Sequence, residues 1–291
     1  MIFDFIRIAA AGVRTSVGIG RALALGATLG IALMASGCSN TDADDLKVDN
    51  TPPDVLYNDG LAAMQKGNTT DAIKKFEDLD RLHPYSELSR KAILLEAYTN
   101  FQKNAFTDAI SASKRFITLY PKSDEVPYAY YIIAESYYKQ MPDIARDQDM
   151  TQKALDAYND LLTKFPNSKF SEDARQKAEA VRDQLAGKEM DVGRFYLQKR
   201  EFLSAINRFR VVIAKYQTTR HVEEALSRLV ECYYSLGVVP EAQTAAAVLG
   251  HNFPDSKWYK DSYALLQSGG YSPQEDQGSW ISKAFRTIKV F

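Results

Sequence analysis

Two cysteines, three histidines and 37 carboxylates are the side chains of this 291-residue chain whose types suit catalysis or metal ligation. Their spacing argues against both. His83, His221 and His251 lie far apart, and none stands in an HExxH or other ligand pattern. His83 and His251 fall in or beside a recurring proline cassette, which points to structural or surface roles. Acidic pairs such as Asp44-Asp45 and Glu223-Glu224 read as solvated surface rather than as an acid–base couple. Neither GxSxG nor GxxxxGK[ST] occurs, and Gly18-Ile19-Gly20 begins like a dinucleotide loop but lacks the third glycine. Cys232, among Leu229, Val230, Tyr233 and Tyr234, reads as a small buried hydrophobe. The expectation is a protein with no enzymatic constellation, no metal and no cofactor.

Cys38 is different. Arg7, Arg14 and Arg21 precede an apolar stretch from Ala22 to Met34 that is too short for a transmembrane helix. It ends in Ala35-Ser36-Gly37-Cys38, and small residues before a lone cysteine resemble the lipobox of a bacterial lipoprotein signal. Ala35 stands where that motif usually has a branched residue. Cleavage would leave Cys38 first, with lipid on its sulfur and amine, and several acyl chains anchor stably where one does not. Ser39 in place of Asp resembles the sorting signal for the outer membrane. Residues 1–37 are thus expected to be a signal peptide. Residues 38–53, polar from Asp42 and ending in Pro52-Pro53, are expected to be a lipidated flexible tether. A net charge of −1 gives no polyelectrolyte attraction, so nucleic acid is not an expected partner.

If the chain has no catalytic set, its work must be done by surfaces, and the elements that position them are legible. A cassette recurs five times: His83-Pro84-Tyr85-Ser86, Tyr120-Pro121-Lys122-Ser123, Phe165-Pro166-Asn167-Ser168, Tyr216-Gln217-Thr218-Thr219 and Phe253-Pro254-Asp255-Ser256. Twelve residues before each centre stands Ala72, Ala109, Ala154, Ala205 or Ala242. Five residues before it stands Leu79, Phe116, Leu161, Val212 or Leu249. Steps of four and three return to one helix face, so positions −12, −8 and −5 make an apolar stripe: Ala72, Phe76 and Leu79, or Ala154, Tyr158 and Leu161. The proline stops the helix, and the Ser or Thr after it suits the N-cap of the next. Upstream of each cassette lies a tyrosine-rich partner helix, such as Ala129 to Tyr138 or Ser227 to Tyr234, with Gly67, Asn104 and Gly237 at tight turns. The pattern identifies an all-α solenoid of five helical pairs, of the tetratricopeptide kind, over residues 54–267.

The repeats are spaced unevenly. Gln140 to Gln152 reads as a loop insertion within the third repeat. Ser171 to Gln184 and Met190 to Leu197 read as one elongated helix interrupted weakly at Gly187. After Ser268-Gly269-Gly270, residues 268–291 read as a linker and a short amphipathic tail helix, Trp280 to Ile288. Trp280, Ile281, Ala284, Phe285 and Ile288 form its apolar stripe, with Lys283, Arg286 and Lys289 opposite. The favoured expectation docks this stripe on a neighbouring subunit; adsorption to a membrane and folding back onto the last repeat are the other placements.

A lipoprotein signal followed by five such repeats resembles the BamD family of the outer-membrane β-barrel assembly machinery. Local matches are Pro52-Pro53 with Tyr57, Gly67-Asn68, Ala72-Ile73, Asp183-Gln184-Leu185-Ala186, and Tyr196 with Ala205-Ile206-Asn207-Arg208. His83 departs from the tyrosine common before that proline, and the tail after Ser268 is no general family feature. The resemblance implies a scaffold on the periplasmic face of the outer membrane of a Gram-negative bacterium, anchored through Cys38. It implies amino-terminal repeats that receive unfolded barrel precursors, and carboxyl-terminal repeats that hold the POTRA domains of a BamA-like barrel protein beside other lipoproteins of the complex. Tyr196, Asn207 and Arg208 are then the candidate partner contacts, and Tyr57, Tyr98 and Tyr131 the candidate groove residues. The alternative is a periplasmic interaction protein that coordinates peptidoglycan and envelope growth. Such proteins usually carry an amino-terminal coiled coil, and no heptads follow Cys38.

Overall fold

The computed structural model describes residues 50–286, and in them the chain is entirely helical. The order is α1 (Pro53–Gln65), α2 (Thr69–Leu82), α3 (Glu87–Gln102), α4 (Phe106–Leu119), α5 (Val126–Tyr138), α6 (Asp149–Lys164), α7 (Ser171–Gln198), α8 (Phe202–Lys215), α9 (Val222–Ser235), α10 (Val239–Asn252), α11 (Lys257–Ser268) and α12 (Trp280–Arg286). Helices α1 to α10 form the five expected antiparallel pairs, each packed on the next in sequence. Helix α11 lies against α9 and α10 and closes the stack. The expected signal, Cys38 and all but the end of the tether lie outside the described residues.

The spacing of the cassette determines what is buried. Positions −12, −8 and −5 have no exposed surface in any repeat, including Ser113 and Ala246, the small residues at −8 in repeats two and five. Each cassette then leaves the helix in the same way. His83, Tyr120, Phe165, Tyr216 and Phe253 have φ between −128° and −138° and ψ of 41–61°, outside the helical region, which a following proline disfavours in four of the five. Three residues on, the Ser or Thr N–H bonds back to that residue's carbonyl at 3.0–3.1 Å. Tyr216 does this before Gln217, so the turn forms without the ring. The N-cap role holds for Ser86 and Ser256, whose hydroxyls accept from Leu88 and Trp258. In the other cassettes the next helix starts three residues after the Ser or Thr, and Ser168 and Thr219 are spent on the turn itself.

The turns inside four pairs share one form. Gly67, Asn104, Arg200 and Gly237 have φ of 59–76°, and the following N–H reaches back five residues to close a Schellman motif. Gly67 and Gly237 adopt this conformation freely, whereas Arg200 adopts it against its side-chain preference. In the third pair an insertion replaces the turn. Its loop runs from Lys139 to Gln148, shorter than expected, because Asp149 to Gln152 already belong to α6.

Two expectations need correction. Gly187 does not interrupt α7, which runs unbroken for 28 residues. It is instead a point of close approach: a Cβ there would sit 2.7 Å from Ile144 of the inserted loop. The tail is also not available to a neighbouring subunit, because it folds back across α10 and α8. Gln243 donates to the Ser272 carbonyl at 2.7 Å, the Gln274 N–H donates to the Gln243 carbonyl, and Ser279 donates to Glu241 at 2.7 Å. Ile281 is fully buried, Trp280 donates to Tyr233, and the Arg210 guanidinium lies 4.8 Å over the indole. The groove between α8 and α10 is the surface that a seven-residue helix needs and cannot supply alone. Ile288 and Lys289 lie outside the described residues.

Candidate functional site

The first helices of successive pairs carry a run of rings. Tyr98 of α3 sits 6.4 Å from Tyr128 of α5, and Tyr128 stacks on Phe170 at 5.2 Å. Phe170, which caps α7, stacks in turn on Tyr131 at 5.0 Å. Tyr128 and Tyr131 are three residues apart and share a helix face, so one ring from α7 touches both. The ladder therefore joins two of the expected groove residues, Tyr98 and Tyr131, through two that the sequence did not single out. Tyr57 stands apart, tilted against Phe76 at 6.4 Å within the first pair. Burial raises the Tyr57, Tyr98 and Tyr128 hydroxyl pKa values, so all three stay protonated.

A partly buried charge fixes the far end of the ladder. Lys177 of α7 donates to Glu135 at 2.6 Å and to the Tyr131 hydroxyl at 2.9 Å, and pairs with Asp173 at 2.9 Å. Tyr131 donates to Asp173 and Tyr158 to Glu135, each at 2.5 Å. Burial and the bond to Asp173 push Tyr131 up to about 12. Burial works against the charges on Lys177 and Asp173. The mutual bonds outweigh it, raising Lys177 and holding Asp173 below the usual carboxylate range. Tyr131 is thereby locked in one orientation by groups from α5 and α7. Residues 42 positions apart in sequence give no local sign of this.

At the other end of the stack, Ala205, Ile206, Phe209, Val212 and Ile213 turn inward from α8, which leaves Asn207 and Arg208 exposed. Arg208 is 44% exposed and bonds to Glu189 of α7 at 3.3 Å, so part of its fork is held and part faces outward. Tyr196 is half-buried, edge-on to Phe195 at 5.6 Å. Phe195 is itself 51% exposed beneath the Lys199 ammonium. The expected partner residues thus share the α7–α8 pair, with Phe195 as an exposed apolar neighbour that the sequence reading missed.

Cys232 and His83 have structural places. Cys232 is buried, which pushes its thiol up to about 12 and makes it a poor nucleophile. His83 bonds the Thr51 carbonyl at 2.8 Å and ties the tether's end to the first cassette. Among the described residues no group of His, Cys, Asp or Glu has the arrangement to hold a metal ion, and no helix is long and apolar enough to cross a membrane.

Comparison with known proteins places the chain. Residues 49–249 match the family model for YfiO, described as an outer membrane lipoprotein. The outer membrane protein assembly factor BamD of Caulobacter vibrioides is 42% identical over 84% of this chain and 80% of its own length. BamD of Rickettsia prowazekii is also 42% identical, over 84% of this chain and 96% of its own. Among solved structures, the TPR domain of P58(IPK) is 17% identical, covering 80% of this chain and 65% of that domain, with a TM-score of 0.39. With its solenoid and its two surfaces in place, the chain belongs to the YfiO family of outer membrane lipoproteins, that of the BamD assembly factors.

Proposed function

We propose that this chain is a non-enzymatic scaffold of outer membrane β-barrel assembly, anchored by lipid on Cys38 and facing the periplasm. The amino-terminal half receives unfolded barrel precursors. The carboxyl-terminal half holds the POTRA domains of a BamA-like barrel protein, next to the other lipoproteins of the complex. The observation that carries the reading is the ring ladder Tyr98, Tyr128, Phe170 and Tyr131. Flat rings take apolar side chains of any shape, while the Tyr98 hydroxyl, which accepts from Gln102, keeps its proton to donate to a carbonyl of an extended segment. Such a surface suits many precursors better than one folded ligand. Tyr196, Asn207 and the outward part of Arg208 supply the second contact, where a guanidinium fork suits a carboxylate of the partner.

One experiment tests both halves. A photo-reactive phenylalanine at Tyr98 should crosslink newly exported barrel precursors, and the same group at Asn207 should crosslink the POTRA-bearing protein. Exchange of the two products, or crosslinks from neither site, overturns the assignment. Anchoring is tested separately. Cys38→Ser should abolish incorporation of labelled palmitate and release the protein from the outer membrane, whereas equal labelling of variant and wild type would show that Cys38 is not the lipid site.

A further inference from the structure

Between the first two pairs the packing leaves a cleft of about 570 Å³, walled by α2 and α4 and floored by α3. Its floor is polar. Asn100 is 5% exposed, lines the cleft, and its carboxamide makes no hydrogen bond to any described residue. Glu96, one turn earlier, is 8% exposed; its Oε2 accepts from Arg115 at 2.8 Å, while its Oε1 accepts from no described residue. Arg115 is shared, reaching Asp80 outside the cleft at 3.0 Å, and Lys103 is turned to the Thr70 hydroxyl at 3.2 Å.

In the free protein the unpaired oxygens of Asn100 and Glu96 face the open cleft. Burial pushes Glu96 up to about 7; Arg115 pulls it back, and Glu77 and Asp80 push it further up. A raised carboxyl stabilises the fold while protonated and loses that contribution as pH rises through about 7. Near neutrality the cleft therefore holds a carboxylate that lacks a full partner. Lining it are Glu77, Glu96 and Asp108 against Lys74, Lys103 and Arg115, so its charges balance only when Glu96 is ionised.

We propose that this cleft is a receptor for a guanidinium group, an arginine side chain carried on a segment of a partner protein. Glu96 takes the charge through Oε1, and Asn100, four residues on and on the same helix face, accepts a second N–H through its carboxamide oxygen. The planar fork of arginine spans two acceptors so placed, which a point-like ammonium does not. The site lies on α2, α3 and α4, and stands or falls independently of the role in barrel assembly.

The test is calorimetric titration of the detergent-purified full-length protein with acetyl-Gly-Arg-Gly-amide and with the same peptide carrying citrulline, which keeps the shape and loses the charge. At pH 8 the arginine peptide should bind saturably and the citrulline peptide at least tenfold more weakly. Glu96→Gln, which can still accept from Arg115, should weaken the arginine peptide by about tenfold, and lowering the pH to 6 should do the same to wild type as Glu96 protonates. Asn100→Leu should weaken it severalfold with helicity unchanged. Equal binding of the citrulline peptide, undiminished binding by Glu96→Gln, or no saturable binding at pH 8 would each overturn the proposal.

Discussion

Lys177→Met is expected to cost about 3 kcal/mol, the low end for breaking a buried ion pair, because Asp173 keeps some contact with water. For a chain of this size that corresponds to a melting temperature lower by roughly 6–12 °C. The substitution keeps much of the side chain's length and leaves Glu135 and Asp173 beside the rings with their common cation gone. Adding Glu135→Gln should recover part of the loss, since the Tyr158 hydroxyl can still donate to the amide oxygen. A single variant melting with wild type would show that Lys177 is merely solvated. The sign with pH follows from the paired groups. Asp173 is held below its ordinary value, so its contribution is present at neutrality and lost as pH falls below the usual carboxylate range. Lys177 is raised, so its contribution disappears only at alkaline pH beyond the ordinary lysine value.

The second large effect concerns two glycines inside helices. A Cβ at Gly60 would meet the Phe76 ring at 2.5 Å, and one at Gly193 would meet the Phe209 ring at 2.5 Å. Both contacts join residues sixteen apart, the glycine on the first helix of a pair and the ring at position −8 of the second. In repeats two and five the same spacing joins Ala97 to Ser113 and Val230 to Ala246, all buried. Bulk on one helix is thus matched by its absence on the other. Gly193→Val should cost about 3 kcal/mol by overpacking a ring with no free space, and Phe209→Ala about 3–5 kcal/mol by opening a cavity. Together they reproduce the Val–Ala pairing of repeat five, and the double variant should regain most of the loss, a coupling of roughly 2–3 kcal/mol. Additive losses measured by chemical denaturation would disprove the matching.

The same comparison shows why some features were legible and others not. The cassette could be read because five copies carry Ala72, Ala109, Ala154, Ala205 and Ala242 in one register, and a repeated position identifies itself. Arg200 could not be read, since its Schellman turn comes from hydrogen bonding and arginine carries no mark of a left-handed backbone. Gly187 was misread because glycine weakens a helix in general, while here its missing side chain admits Ile144. The groove was half legible: Tyr98 and Tyr131 stood out as tyrosines, but Tyr128 and Phe170 meet them only once α3, α5 and α7 lie side by side. Lys177, Glu135 and Asp173 carry no mark in the sequence, since their pairing joins residues 42 apart. The tail was assigned to a neighbour because its docking surface exists only once α8 and α10 lie side by side.

The unbroken α7 has a mechanical consequence. Stacked helix pairs behave as a spring, each joint between repeats adding some give. At about 1.5 Å per residue, α7 is a rod of roughly 42 Å, twice the length of α8. The inserted loop is wedged against its middle at Gly187, and the Lys177 bonds clamp it to α5 near its start. The spring therefore has a splint across its third and fourth repeats. Load entering through the α1 end is taken up by bending in the first two pairs, while the surface around Arg208 keeps its shape.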